Sequence, residues 1–148
     1  MITLRALHIP TDWGWVRHHI QCVLCEDTRG IVAERDGKIV GAMIADSWTE
    51  NSCQVHNGIL DPLAFKAGLH AEFARYVFGE CGRKMMLGLT PANLPKAIKL
   101  NAHYGFTEFT RIPEGYADGV DYIVYRMTSN ECPYWEQDDG MEQTSAAA

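Results

Sequence analysis

Residues 97–106, with the sequence AIKLNAHYGF, decide how the C-terminal half of this chain is interpreted. Apolar side chains recur at helical spacing before residue 105, at Leu94, Ala97, Ile98 and Leu100. Gly105 is typical of the position just after a helix, and Phe106 starts a second apolar pattern. The stretch therefore predicts a helix over residues 91–104 that ends at glycine and leads directly into a strand.

The apolar pattern on either side predicts the remaining elements. Asp36-Gly37 lies between two apolar runs, which is the strongest short signal of a β-hairpin. Strands are predicted at residues 2–8, 31–33, 39–44, 53–60, 84–89, 106–112 and 120–127, and helices at residues 12–26, 63–82 and 91–104. The order β-α-β-β-β-α-β-α-β-β indicates a mixed α/β (α+β) fold, in which the strands joined by the long helix form a parallel pair.

Composition limits the classes of function. The net charge is −6, but five of the 19 acids lie in residues 131–148, which have no Lys or Arg. The remaining 14 acids and 13 bases leave a nearly neutral body, so no nucleic-acid partner is expected. No apolar run is long enough to span a bilayer, and the first residues lack the layout of a secretion signal. Five irregularly spaced cysteines favour free thiols, so a cytoplasmic protein is expected.

The sequence predicts one folded domain and a tail. Residues 1–128 carry all of the predicted helices and strands, whereas residues 129–148 are acidic and have few aliphatic side chains. The tail is therefore expected to be flexible, except that Tyr134 and Trp135 can dock on the domain. The oligomeric state is left open, with a dimer as one alternative.

The element order resembles that of the GNAT acetyltransferases. The sequence similarity is carried by the helix-Gly-Phe segment at residues 97–106 and by a final hairpin containing Arg111-Ile112-Pro113 and residues 118–121. The topology agrees over residues 1–128 and the motifs over residues 91–127. The resemblance implies an acyl-CoA-dependent N-acyltransferase that moves an acetyl group directly to an amine in a ternary complex. The acceptor would be a small molecule or a protein.

The resemblance also implies where acetyl-CoA would bind. In such folds two central strands splay apart and leave a slot for the pantetheine arm, which here lies between residues 54–60 and 84–89. A turn at the next helix N-terminus binds the pyrophosphate. The residues implied in binding acetyl-CoA are Gly58, Ile59, Leu60, Lys66, Gly68, Asn93 and Asn101.

Three residues are candidates for acid–base catalysis. His56 and Glu50 lie in or near the strand that would face the acceptor amine, and histidine titrates near neutrality. Many GNAT proteins have a tyrosine general acid at the position of Asn101. Tyr104 lies one helical turn further on and is the candidate replacement.

The expected phosphate-binding turn departs from the family pattern and keeps an alternative function open. Residues 65–70 match the pattern only at Gly68, while Asp61 and Pro62 stand where anion-binding amides should begin. The alternative is a catalytically degenerate GNAT fold that serves as a binding or structural protein, for example in a phage virion. Cys22 and Cys25 form a C-x2-C pair inside the predicted first helix, but a second ligand pair is lacking, so no metal site is predicted.

Overall fold

The computed structural model describes residues 1–136. Their strands are β1 Ile2–Ala6, β2 Arg29–Arg35, β3 Lys38–Asp46, β4 Ser52–Ile59, β5 Met85–Pro91, β6 Thr107–Ala117 and β7 Val120–Thr128. These residues form one sheet of seven strands in the spatial order β1-β2-β3-β4-β5-β7-β6. β4 and β5 pair in parallel, and the other neighbouring strands pair antiparallel. The predicted mixed α+β class and its parallel pair are confirmed.

Helices cover both faces of this sheet. They are α1 Ile9–His19, α2 Leu63–Lys66, α3 Leu69–Ala74, a π-helical segment Arg75–Glu80 that continues α3, and α4 Pro95–His103. On one face α1 buries Val16, beside the linking residue Ile20, in a small cluster with Val32, Ala42 and Ile44. On the other face Leu69, Phe73, Val77 and Phe78 enter a larger cluster with Met43, Met86, Ile123 and Met127. The sheet therefore lies between two apolar layers.

The predicted hairpin between β2 and β3 is present. Asp36 and Gly37 both have positive φ, at 52° and 76°. A two-residue turn of this kind matches the twist of the adjoining strands, and Asp-Gly tolerates the left-handed backbone that it requires. This local chemistry explains why the hairpin was predictable from sequence.

The first helix is shorter than predicted. It begins at Ile9 and ends at His19 rather than at residue 26, and the backbone of Ile20 is extended (φ −127°, ψ 131°). The residues that follow are tied to the segment after β3, because the backbone N–H of Trp48 donates to Asp27. A local hydrogen bond from the Cys25 backbone N–H to Thr28 holds the link itself. The Cys22–Cys25 pair therefore lies in an irregular link and not on a helix.

The predicted long helix over residues 63–82 is interrupted. Gly68 has φ 97° between α2 and α3, and this left-handed conformation ends the first helical segment. The chain then widens into the π-helical segment after Ala74. The prediction of a continuous helix rested on the apolar periodicity of the sequence, which does not reveal either feature.

The last hairpin also differs from the prediction. The loop expected at residues 113–119 is mostly strand, since β6 continues to Ala117 and only Asp118-Gly119 remain as the turn. The register of β6 against β7 shifts between Ile112 and Ala117. Such a bulge lets the strand continue through Pro113 and Gly115, which sequence rules assign to a loop.

The segment after β7 packs on the domain up to the end of the described residues. Cys132 is buried, Tyr134 Oη donates to Met127 Sδ at 3.8 Å, and the Trp135 ring lies 5.5 Å from that of Phe78. Residues 129–136 therefore include side chains that pack on the domain. The rest of the predicted tail, residues 137–148, lies outside the described residues.

Residues 1–136 lack two kinds of feature. None of their helices has the length and apolar character needed to cross a membrane. Within the same residues, no group of three or more His, Cys, Asp or Glu side chains is arranged to hold a metal ion.

Candidate active site

β4 and β5 part in the middle of the sheet. Their parallel register runs from Ser52 opposite Met85 to Gln54 opposite Leu87 and goes no further. Beyond this point β4 stays paired with β3, while β5 stays paired with β7. The edges that face each other therefore lose their ladder partners, and their backbone N–H and C=O groups become available to a ligand.

A cavity of about 200 Å³ lies at this parting. Its walls come from β4, β5, β7, α4 and the link after α1, so both faces of the sheet contribute. The apolar part includes Ile20, Val55, Leu89, Leu94 and Phe106. The polar side chains in its lining are Gln21, His56, Asn57, Thr90, Asn101 and Tyr125. A narrow, partly apolar cleft with a few converging polar groups is typical of a ligand site.

His56 is held by a buried carboxylate. Its Nε2 lies 3.0 Å from Asp46 Oδ2, and Asp46 is only 6% exposed. Ser47 Oγ donates to the other oxygen of Asp46 at 3.0 Å. When Nε2–H donates to Asp46, the second ring nitrogen, Nδ1, carries the lone pair and can accept a proton. This arrangement fixes the tautomer that a general base needs.

A second polar group lies on the α4 side of the cavity. Asn101 Nδ2 donates to Thr90 Oγ1 at 2.9 Å, which links α4 to β5. The neighbouring Tyr125, on β7, is 4% exposed. Burial, with a smaller contribution from the negative charge of Glu108, raises the pKa of the Tyr125 phenol. The cleft thus has a histidine on one wall and a protonated phenol on another.

The structure brings two of the predicted site residues, His56 and Asn101, into the wall of the cavity. Gly58 and Ile59 lie further along β4, and a Cβ atom on Gly58 would meet Ile20 at 2.7 Å. The exposed residues Leu60, Lys66 and Asn93 and the helix-linking Gly68 lie outside the described lining of the cavity. Glu50 is exposed in the loop between β3 and β4, also outside this lining.

Tyr104 does not reach the cleft. It is 5% exposed, and its ring centroid lies 4.0 Å from that of His70 and 5.2 Å from that of Phe65, in the core under α4. Burial also raises the pKa of its phenol. The helical spacing from Asn101 was correct, but α4 ends at His103 and turns Tyr104 towards the core. The candidate replacement for the family's tyrosine acid therefore lies in the core and outside the described lining of the cleft.

The turn expected to bind a pyrophosphate already contains an anion. The backbone N–H of Leu63, at the start of α2, donates to Asp61 Oδ1 at 2.9 Å. Asp61 also forms an ion pair with Arg35, and Pro62 has no N–H to donate. The hydrogen bond from Leu63 and the charge of Arg35 hold the pKa of Asp61 below its usual range. The carboxylate therefore uses the Leu63 amide at the start of α2, in the turn where the resemblance implied that a pyrophosphate would bind.

Comparison with known proteins gives a fold. No family model and no curated protein matches the sequence. A solved structure from Desulfovibrio desulfuricans assigned to the GNAT family of acetyltransferases aligns with a TM-score of 0.69 at 17% identity, over 86% of this chain and 99% of that chain. The spermidine/spermine N-acetyltransferase SpeG from Vibrio cholerae, in complex with manganese ions, aligns with a TM-score of 0.68 at 16% identity, over 86% of this chain and 92% of that chain. A mutant form of SpeG reaches a TM-score of 0.72, at 16% identity, over 90% of this chain and 97% of that chain.

The chain has the GNAT fold. The agreement extends over nearly the full length of each solved structure, so the overall arrangement of strands and helices is shared. At 16–17% identity the alignment carries the fold and not the roles of individual residues.

Sequence reasoning missed two residues at the cleft between β4 and β5, Asp46 and Tyr125. Asp46 follows the apolar run of β3, and its charge gave the only signal, since a carboxylate at the end of a buried strand needs a partner. Tyr125 falls on the inward face of β7, where it is indistinguishable in sequence from a packing residue. Its position in the wall follows from the parting of β4 from β5, which has no sequence signature of its own.

Proposed function

We propose that this protein is an acyl-CoA-dependent N-acyltransferase that transfers an acetyl group directly to the nitrogen of an amine. The observation that carries this proposal is the parting of β4 from β5 with the His56–Asp46 pair on its wall. The fold alone does not imply activity, because one fold can serve unrelated functions. The cleft adds a proton acceptor and free backbone groups, which a merely structural relative would have no reason to keep.

The residues at the parting fit the pantetheine part of acetyl-CoA. Its two amides would find backbone partners on the facing edges of β4 and β5. Gly88 leaves space for this arm, since even an added Cβ would lie 3.7 Å from the nearest atom, the Val55 carbonyl oxygen. The pyrophosphate end fits poorly, because Asp61 accepts the Leu63 amide hydrogen bond at 2.9 Å. We therefore expect the protein to recognise acetyl-CoA mainly through its pantetheine arm.

His56 would remove the proton from the attacking amine. Acetyl-CoA supplies a thioester whose carbonyl carbon accepts the nitrogen, and an amine can attack only after it has lost its ammonium proton. His56 Nδ1 accepts that proton, while Asp46 stabilises the imidazolium through Nε2–H. The contact with Asp46, which holds the His56 ring before substrate binds, supports this role.

Small amines are the first acceptor class to examine. SpeG, which has the same fold, is named as a spermidine/spermine N-acetyltransferase. In this chain the link at residues 20–28 is irregular rather than helical, and its Ile20 and Gln21 line the cleft. We therefore propose that this link helps to select the amine. At 16% identity, the substrate contacts of SpeG cannot be assigned to residues of the link.

Calorimetric titration with acetyl-CoA tests the proposal first. We expect saturable binding in the micromolar range, followed by release of the CoA thiol when spermidine is added as the probe acceptor. A second probe, a lysine-containing peptide, separates small amines from protein amines. If millimolar acetyl-CoA gives neither heat of binding nor thiol release with either acceptor, the acyltransferase proposal is wrong.

A further inference from the structure

A second and larger cavity lies between β1, the start of β2 and the π-helical segment. Its volume is about 790 Å³, and it adjoins a smaller cavity of about 320 Å³, because Arg29 and Tyr76 line both. Neither cavity shares a described lining residue with the cleft around His56. Tyr76 belongs to the π-helical segment, and such segments are rare and occur frequently at functional sites. The two cavities therefore form one candidate pocket that is separate from the cleft.

The larger cavity offers an apolar wall. Its Arg and Glu side chains other than Arg29 are already paired, since Glu72 and Glu80 both contact Arg75, and Arg5 contacts Asp12. The size of the cavity is within the range of small-molecule sites. The apolar side chains in its lining are Leu4, Leu7, Ile9, Pro10 and Ile31. This part of the pocket therefore suits the uncharged, apolar part of a ligand.

Two arginines without an acidic partner line the smaller cavity. Within residues 1–136, no ion pair includes Arg29 or Arg83. The guanidinium carbon of Arg83 lies 5.3 Å from the centre of the Trp48 ring, and its Nε–H has no hydrogen-bond acceptor in the same part of the chain. Asp27, which also lines this cavity, accepts the Trp48 backbone N–H at 3.1 Å. Two guanidinium groups and one carboxylate leave a single positive charge at this end of the pocket.

From these features we propose that the pocket binds an alkyl carboxylate, with its chain in the larger cavity and its carboxylate between Arg29 and Arg83. A single negative charge balances the charge left at the arginine end, and a guanidinium presents parallel N–H groups to the two oxygens of a carboxylate. The chain leaves water when it enters the apolar cavity, which favours binding in proportion to the apolar area that is buried. The proposal does not depend on acetyl transfer, because it uses no residue of the cleft.

Calorimetric titration of the full chain with octanoate tests this site. We expect saturable binding, and octan-1-ol, which has the same chain length but no charge, should bind roughly tenfold more weakly. Butanoate should lose roughly fourfold in affinity for each methylene group that no longer enters the apolar cavity. Saturating acetyl-CoA should leave the affinity for octanoate unchanged, because the cleft and the pocket have separate linings.

Arg29→Gln is the first variant to measure. Arg29 is exposed, so its replacement should leave the fold intact, and the affinity for octanoate should fall roughly tenfold while that for octan-1-ol stays unchanged. Arg83→Lys keeps a positive charge beside Trp48 but removes the planar fork, so a smaller loss is expected. Arg17→Gln is the matched control, because Arg17 is exposed on α1 and lies outside the described lining of the pocket. Its affinity for octanoate should equal that of the unaltered protein.

Four results would overturn the proposal. They are no binding of octanoate at millimolar concentration, equally tight binding of octan-1-ol, displacement of octanoate by acetyl-CoA, and equal octanoate affinities in the Arg29, Arg83 and Arg17 variants. None of these results bears on whether acetyl-CoA binds in the cleft and reacts with an amine. Conversely, a protein that binds octanoate as expected but never binds acetyl-CoA would overturn the transferase proposal alone.

Discussion

His56 Nε2 and Asp46 Oδ2 lie 3.0 Å apart across the antiparallel pair of β4 and β3. The contact places a nearly buried carboxylate behind a histidine that lines the cleft. A buried carboxylate is costly unless it is paired, so the arrangement stabilises one histidine tautomer at the expense of free rotation. If His56 is the base, its protonated form therefore needs the negative charge of Asp46.

Asp46→Asn should lower transfer without weakening donor binding. The substitution keeps the shape of the side chain but removes the charge that stabilises protonated His56, so kcat should fall by roughly 10²-fold. Acetyl-CoA affinity, measured by calorimetry, should not change. Asp121→Asn is the control, since Asp121 accepts a hydrogen bond from the Glu114 backbone at 3.0 Å, away from the cleft. Equal activity of the two variants would remove Asp46 from the mechanism.

Asp61→Asn should strengthen acetyl-CoA binding. The carboxylate that accepts the Leu63 amide would be replaced by a neutral group that can still cap the helix, and Arg35 would lose its partner. Removing one negative charge beside a phosphate at a solvated site is worth about 1 kcal/mol, or roughly fivefold in Kd.

The matched control for that change is Asp36→Asn, in the turn between β2 and β3. Asparagine tolerates the positive φ of Asp36. The affinity of the Asp36→Asn variant for acetyl-CoA should equal that of the unaltered protein. An unchanged affinity in both variants would mean that the phosphates bind elsewhere on this fold.

The strands and hairpins could be predicted because their signals are local. Alternating apolar residues located β1, and the Asp36-Gly37 turn fixed the β2–β3 hairpin. Gly105 marked the end of α4 within two residues, and its φ of 94° shows why a glycine is required there. In each case a short stretch contains both the physical cause and its effect.

Gly68→Ala tests the interruption between α2 and α3. The added Cβ would meet only Leu4 Cδ1, at 3.8 Å, so the cost comes from the positive φ and not from a clash. We expect a loss of about 1–2 kcal/mol in the free energy of unfolding, measured with urea. A loss of acetyl-CoA affinity in this variant would count as a binding effect only if it is larger than the loss of folded protein explains.

Gly79→Ala is the matched control in the π-helical segment. Its φ is not positive, and an added Cβ would lie 3.6 Å from Trp135 Nε1, an ordinary contact. Alanine at an allowed helical position should stabilise the protein by up to about 1 kcal/mol. Opposite signs for the two alanines would confirm that the backbone at Gly68, rather than loss of glycine in general, sets the cost.

The candidate site was only partly predictable, because it depends on relations between distant elements. His56 and Asn101 were found from their place in the expected topology, but the partner of His56 lies ten residues earlier on another strand. The sequence pattern places both Tyr104 and Tyr125 on an inward face and does not distinguish them. Whether each meets the core or the cleft is decided by the end of α4 and by the parting of β4 and β5.

His70 should make the protein sensitive to acid. It is 1% exposed, and neither ring nitrogen has a hydrogen-bond partner within the described residues. Burial, with a smaller effect from the like charge of His103, lowers its pKa from 6.5 to about 4. Tyr104 and Tyr134 pack against the ring and are neutral in this range.

The sign of the effect follows from which state binds the proton first. Above pH 6.5 His70 is neutral in both states, and the folded protein has its full stability. As the pH falls from 6.5 towards 4, the unfolded chain binds a proton that the folded chain excludes, so stability is lost. The difference between the two pKa values corresponds to a loss on the order of 3 kcal/mol by pH 4.

Urea unfolding at pH 7 and pH 4.5 of His70→Leu measures this contribution. Carboxylates also titrate in the interval, so the informative quantity is the difference in pH dependence between the variant and the unaltered protein. His70→Leu should lose less stability on acidification, because leucine has no proton to bind. His18→Gln, at an exposed position in the last turn of α1, should keep the original dependence. If both variants lose stability as steeply as the unaltered protein, the acid sensitivity lies in groups other than His70.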